Sequence, residues 1–239
     1  MVPVTDSGGR GLFVTGTDTG VGKTLVSAAL AHFLTRHGVR VGVMKPVESG
    51  VVDPTGLGED GELLRWAAAC EAPIELISPC RLAEPLAPSL AAELSGASVD
   101  IDGLVAAAGE MMERYDFVIV EGAGGLMVPL LERLMIGDLA RRIGLPLLTV
   151  CRPGLGTLNH TLLTLQAARA WGLHPAGLVV NGMPAKPGLA EEHAPAMLAE
   201  LGEIEVWQVL SQVEGDNRQK VEALFQQFDD ELLELLLCQ

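Results

Sequence analysis

Apolar and polar positions along this chain fall into blocks. Residues 12–15 (Leu12, Phe13, Val14, Thr15) are a short apolar run, residues 16–22 are Gly/Thr/Asp, and from Lys23 the apolar positions recur with helical spacing to about residue 37, where Gly38 ends the helix. Short apolar runs bounded by turn residues read as strands, and longer periodic stretches as helices. Further strands are expected at 39–44, 116–122, 145–151 and 176–181, with a weaker one near 203–209. Helices are expected from an N-cap at Asp60 to about Cys70, from a cap at Asp100 or Asp102 to about Arg114, from the 152–160 loop to Trp171, near 189–201, and from about Asp216. Residues 50–60 are too rich in Gly, Pro and Asp for an element, and Pro73, Pro79, Pro85 and Pro88 keep helices short between 71 and 98. Residues 122–137 read as a flexible, flap-like segment before a short helix, and the apolar tail 232–237 as core or subunit contact.

Strands alternating with helices predict an α/β fold: a doubly wound, largely parallel sheet with helices on both faces. The first strand–helix–strand unit is expected to be parallel and right-handed. No linker or repeat interrupts the pattern, so residues 11–239 are expected to form a single domain after a frayed or disordered start at 1–10.

Composition narrows the picture. The chain is 49% hydrophobic but has one Tyr and five Phe, so Leu, Val, Ile and Ala must fill the core, as suits buried parallel strands. A net charge of −15 argues against nucleic acid or an anionic membrane as partner. The N-terminus does not resemble a signal peptide, and no run approaches the ~18 apolar residues of a membrane span. Cys70, Cys80, Cys151 and Cys238 lack C-x-x-C spacing and are expected to be buried packing residues in a reducing cytoplasm. Two of the four lysines, Lys23 and Lys45, end the first two predicted strands, where open α/β sheets bind ligands.

The stretch G-T-D-T-G-V-G-K-T between the first strand and helix is a phosphate-binding loop. Loop N–H groups and the first helical turn converge on one anion, Lys23 can reach the outer phosphates, and the Thr24 hydroxyl can ligate Mg²⁺. Five residues separate Gly16 from Gly22, one more than in the common motif, and the in-loop lysine of partitioning-type ATPases is absent near Asp18. Glu121 ends a buried strand, as does the acid that holds Mg²⁺ beside the phosphates in P-loop proteins, whereas Asp116 should point away. Gly154 and Gly156 could free N–H groups for a second anion, or form a plain turn. The strand ending V-V-N-G-M-P lacks the guanine-reading N-K-x-D, no nucleophile elbow or zinc cluster competes, and His160 and His174 read as structural. Phosphoryl transfer from ATP with Mg²⁺ follows.

The segments V-T-G-T-D-T-G-V-G-K-T, M-K-P-V-E-S-G, L-A-E-P-L-A-P-S-L-A-A, V-E-G-A-G-G-L-M-V-P, G-L-G-T-L-N-H and V-N-G, in this order, together resemble the dethiobiotin synthetases, a P-loop NTPase-like family. The resemblance implies a cytoplasmic ligase of biotin biosynthesis, which converts 7,8-diaminononanoate, CO₂ and ATP into dethiobiotin, ADP and phosphate through a carbamate and a carbamic–phosphoric anhydride. It implies catalytic roles for Lys23, Lys45 and Thr19. The nucleotide would lie on Thr17, Asp18, Thr19, Gly20, Val21, Gly22, Lys23, Thr24, Asp60, Glu121 and Asn181, the last reading adenine. Mg²⁺ would be held by Thr24, Asp60 and Glu121, with Glu59 and Glu62 as rivals to Asp60. Thr19, Lys45, Ser49, Glu121 and Gly124 would meet the substrate, and Gly154, Leu155, Gly156 and Asn159 would hold its tail carboxylate across the interface of a homodimer. The alternative is a regulatory or partitioning ATPase whose nucleotide state controls dimerisation.

Overall fold

The computed structural model describes residues 10–238, so the frayed start expected at residues 1–10 lies, but for Arg10, outside the described residues. In chain order the elements are β1 (Gly11–Gly16), α1 (Lys23–Arg36), β2 (Val41–Met44), β3 (Val47–Ser49), α2 (Glu59–Ala68), α3 (Ile74–Ile77), β4 (Cys80–Leu82), α4 (Pro88–Ser95), α5 (Ile101–Arg114), β5 (Phe117–Glu121), β6 (Pro129–Leu131), β7 (Leu134–Met135), α6 (Ile136–Ile143), β8 (Leu147–Cys151), α7 (Thr157–Ala170), β9 (Pro175–Met183), α8 (Leu189–Gly202), β10 (Val206–Ser211), α9 (Asn217–Phe225) and α10 (Asp230–Leu237).

Six strands form one sheet in the order β10-β9-β8-β1-β5-β2, every pairing parallel. Each residue of β1, β5 and β8 is buried. Successive strand side chains point to opposite faces, so a strand buried at every position is covered on both. The helices supply that cover, with α1, α2 and α9 packed on one another, α5 on α6, and α7 on α8. Direction reverses at β1: the chain goes out to the edge strand β2 on one side and back to β5, then crosses to β8 and builds outward through β9 and β10 on the other. The C-terminal end of β1 is thus a topological switch point, where such sheets leave a crevice. β1 and β2 are parallel as expected, but β5 lies between them.

Several expectations change. Asp60 is not the N-cap of α2; Gly58 is, and Asp60 is the second helical residue. The buried Glu48 carboxylate accepts the Asp60 N–H at 2.9 Å, so the cap comes from β3 and the Asp60 side chain is free for other work. The M-K-P-V-E-S-G segment contains β3, which pairs with β4 in a small parallel sheet. Residues 122–137 contain the antiparallel β6–β7 hairpin, with Leu126 and Leu130 buried, in place of an unstructured flap. Cys70 and Cys151 are buried and Cys80 partly so, but Cys238 is exposed after the last turn of α10; all four are free. The apolar tail does reach the core, through Leu232 and Leu236.

Asp100 caps α5, its carboxylate accepting the Gly103 N–H at 3.0 Å, while Asp102 meets Arg142 on the surface. Asp100→Ala should therefore lower stability to urea by about 1 kcal/mol. Asp102→Ala should change it little, as for other exposed ion pairs. Equal losses would remove the assignment of the cap.

Candidate active site

The glycine loop leaves β1 and turns into α1 through Gly20 and Gly22, both left-handed. At Gly22 the φ of 93° favours glycine, and a Cβ there would stand 2.2 Å from Asn181 Nδ2. That amide donates to the Val21 carbonyl at 2.9 Å, so the end of β9 is pinned to the loop. Lys23, at the first position of α1, is buried and donates to the Asp18 carbonyl at 3.3 Å, across the turn.

Charged side chains meet where β1, β2 and β5 end. Lys45 Nζ, almost fully buried, lies 2.6 Å from Glu121 Oε1 and 2.7 Å from Asp60 Oδ2. Thr24 Oγ1 donates to the same Glu121 oxygen at 2.8 Å. Glu121 is fully buried, and its Oε2 has no partner among the described residues. Burial alone would push the Lys45 ammonium down, but Glu121 and then Asp60 outweigh it and hold its pKa above the usual lysine value. Lys23 sits in no such close pair: burial dominates and lowers its pKa, with Lys45 repelling it against the pull of Glu121. Burial would raise the Asp60 carboxyl, but the charge and hydrogen bond of Lys45 prevail and lower it.

Two cavities flank the loop. One, of about 730 Å³, holds Lys23, Thr24, Lys45, Asp60 and Glu121 together with Thr19, Ser49 and Gly124. The other, of about 520 Å³, is lined by Thr17, Asp18, Val21, Asn181, Gly154 and Leu155, among others, and by Ser211, Gln212 and Lys220 from the C-terminal part. Gly20, Gly22 and Leu25 border both. The residues expected around the metal and the reacting end of the substrate therefore border one cavity, whereas Thr17, Asp18 and Val21 of the expected phosphate cradle border the other. The turn at residues 154–159 is not with them: it borders the smaller cavity, and Asn159 and Leu155 are exposed. Among the acidic rivals, Glu59 and Glu62 are exposed, and only Asp60 turns to Lys45. Asp116 pairs with Arg40 at the opposite end of the sheet, as expected.

Two polar residues enter that the sequence pattern does not assign. Arg152 donates to the Thr19 carbonyl at 2.8 Å and stands 3.6 Å from Asp18 Oδ2, bridging the β8 loop to the glycine loop. A lone arginine after a strand carries no periodic signal, although its place at the switch point does single it out. Glu48 is the other, buried behind α2.

Thr24, Asp60 and Glu121 are hard oxygen donors, and the unpartnered Glu121 Oε2 leaves a buried acceptor free. Such a set suits Mg²⁺, which is commonly held by one or two carboxylates and completed by phosphate oxygens and water.

Fold and loop together define a P-loop nucleotide-binding protein. The chain matches the model of a family described as "AAA domain" over residues 10–222. It is 39% identical over 234 residues to the ATP-dependent dethiobiotin synthetase BioD of Thermodesulfovibrio yellowstonii, covering 93% of this chain and 98% of that protein. It is 51% identical over 172 residues to the protein of the same name from Anaeromyxobacter sp. strain K, covering 72% and 76%. The chain belongs to the dethiobiotin synthetase family. A ParA family ATPase from Chlorobium tepidum, 12% identical, superposes with a TM-score of 0.59 over 95% of this chain and 98% of its own, a likeness of fold alone.

Lys45→Met would leave Glu121 buried without its cation, and loss of one partner from a buried pair costs about 3–5 kcal/mol. Urea denaturation at pH 7 should show a loss of that order. A lowered carboxyl pKa gives stability that is present above the ordinary value of 3.8 and lost as pH falls through the lower folded value. The wild-type advantage should therefore shrink in acid below pH 3.8, the ordinary value. A variant as stable as wild type at pH 7 would show that the cluster adds no net stability.

Proposed function

We propose that the chain catalyses ATP-dependent carboxylation and ring closure of 7,8-diaminononanoate to dethiobiotin. One substrate amine attacks CO₂ and loses a proton, giving a carbamate. A carbamate oxygen attacks the γ-phosphorus of ATP, and the bond to the bridging oxygen breaks, so ADP leaves. The second amine then attacks the carbonyl carbon of the mixed anhydride, closing the ureido ring and expelling phosphate. Family membership supports the reaction, and one observation carries its placement: Lys23 and Lys45 border the same cavity as Thr19, Ser49 and Gly124.

Carbamate and triphosphate are both anions, and bringing them together needs fixed positive charge. Lys45 supplies it beside the reacting atoms, held charged by Glu121 and Asp60. Lys23, at the first turn of α1, would reach the outer phosphates. Mg²⁺ would be held by Thr24, Asp60 and Glu121 and would supply further neutralisation of the phosphates. Thr17, Asp18, Gly20, Val21 and Gly22 would cradle the phosphates by backbone N–H groups, and Asn181 would meet the base in the smaller cavity.

The substrate tail is the reason for a dimer in this proposal. Within one chain the turn at residues 154–159 lies apart from Ser49 and Gly124, so Gly154, Leu155, Gly156 and Asn159 would take the tail carboxylate of a substrate bound in a second copy. The exposed Leu155 and Leu163 offer apolar surface for that contact. We also place the enzyme in the cytoplasm, in keeping with four free cysteines.

ADP release with Mg-ATP should depend strongly on both 7,8-diaminononanoate and bicarbonate, with dethiobiotin detected by mass. Release indifferent to the diamino acid would point to a nucleotide-switch ATPase. Lys23→Ala should reduce turnover by about 10²-fold, the scale of one lost electrostatic group; a near-wild-type rate would remove it from the mechanism. Asn159→Ala should raise the substrate KM more than it lowers kcat. A fully active monomer in sedimentation would rule out the shared site.

A further inference from the structure

Glu48 is a buried carboxylate that the chemistry above does not use. It lies in β3, three residues after Lys45, and is 4% exposed. Its Oε1 accepts the Asp60 N–H at 2.9 Å and the Gly61 N–H at 3.4 Å, and its Oε2 accepts the Ser78 hydroxyl at 3.4 Å. The N-cap of α2, Gly58, offers no side-chain cap of its own. A Cβ on Gly58 would stand 2.2 Å from Glu48 Oε1, so the glycine leaves the space that lets the carboxylate reach the helix end. A negative charge at a helix N-terminus, accepting its free N–H groups, is a favourable arrangement that anchors the first turn.

That first turn carries Asp60. With its N–H held by Glu48, Asp60 has its Oδ2 2.7 Å from Lys45 Nζ. Glu48 and Lys45 thus hold one helix turn from both sides: Glu48 by the backbone, Lys45 by the side chain. Polar side chains facing Glu48 come from α2 (Asp60), β2's end (Lys45) and the α3–β4 loop (Ser78).

We propose that Glu48 is a positioning residue, which fixes Asp60 against Lys45 by capping α2 from across the cavity wall. The consequence for activity rests on the proposed role of Asp60 in the nucleotide site; the positioning itself does not. Outer partners of site carboxylates typically change affinity or activity by about 10–100-fold when removed.

Four variants test it: Glu48→Gln, Glu48→Met, Asp60→Asn, and Glu48→Met with Asp60→Asn. Each is checked for folding by circular dichroism. Binding of a non-hydrolysable ATP analogue with Mg²⁺ is measured by calorimetry, and kcat and KM by ADP release. Glu48→Gln keeps an acceptor oxygen and should stay within a few-fold of wild type. Glu48→Met should weaken analogue binding about tenfold, as Asp60→Asn also should, and the double variant should be no weaker than Asp60→Asn alone. Additive losses, or a folded Glu48→Met with wild-type binding beside an impaired Asp60→Asn, would overturn the proposal. If Glu48→Met does not fold, Glu48→Asp, which withdraws the carboxylate by one methylene, serves in its place. A crystal structure of the Glu48 variant then separates the two claims. Loss of the Asp60–Lys45 contact supports positioning even where Asp60→Asn proves silent, which would sink only the role of Asp60. Retention of the contact overturns positioning.

Discussion

The ion cluster of Lys45, Glu121 and Asp60 is the constraint on which the site depends. A lysine this deeply buried is charged only because two carboxylates outweigh its desolvation. Each comes from a different element: Glu121 ends β5, Asp60 opens α2, and Lys45 follows β2. Lys45 or Glu121 alone would be an expensive buried charge; with the half-buried Asp60 they draw three elements to one point. Thr24 joins from α1 through Glu121. The same group that holds the site together therefore sets its electrostatic character, an ammonium kept positive within reach of the glycine loop.

The sheet makes the meeting possible. β5 is inserted between β1 and β2, so the loop after β1 and the lysine after β2 both lie beside Glu121. Had β2 paired with β1 directly, Glu121 would stand outside the pair and could not bridge Thr24 and Lys45. Parallel pairing places all three C-terminal ends at one edge, and reversal of strand order at β1 opens the crevice there.

The parts of this arrangement that repeat a local pattern were legible in the sequence. β1, β5 and β8 are apolar at nearly every position because both faces are covered, and the Gly-rich loop opening a helix at Lys23 carries its own mechanism. Glu121 stood out as an acid closing such a strand. Other parts had no local signal. β3 and β4 have three residues each, too few for a period to show. Asp60 looked like an N-cap because Asp is favoured there, yet a carboxylate from 12 residues earlier supplies the cap. The insertion of β5 follows from long-range packing that no window of sequence records. Arg152 and Glu48 act through tertiary contacts, and their neighbours in the chain do not announce them.

The glycine loop is also a partition. Gly20, Gly22 and Leu25 border both cavities, so a short stretch of loop and one leucine side chain stand between the chambers. A single molecule with one head in each chamber would have its linker follow the loop. Joining two fragments in this way replaces a second encounter by an intramolecular one, at an effective concentration that reaches about millimolar with a short flexible tether. That shared border makes the pair of cavities a natural target for two-headed inhibitors, whose tether length would serve as a ruler for the distance between the two chambers.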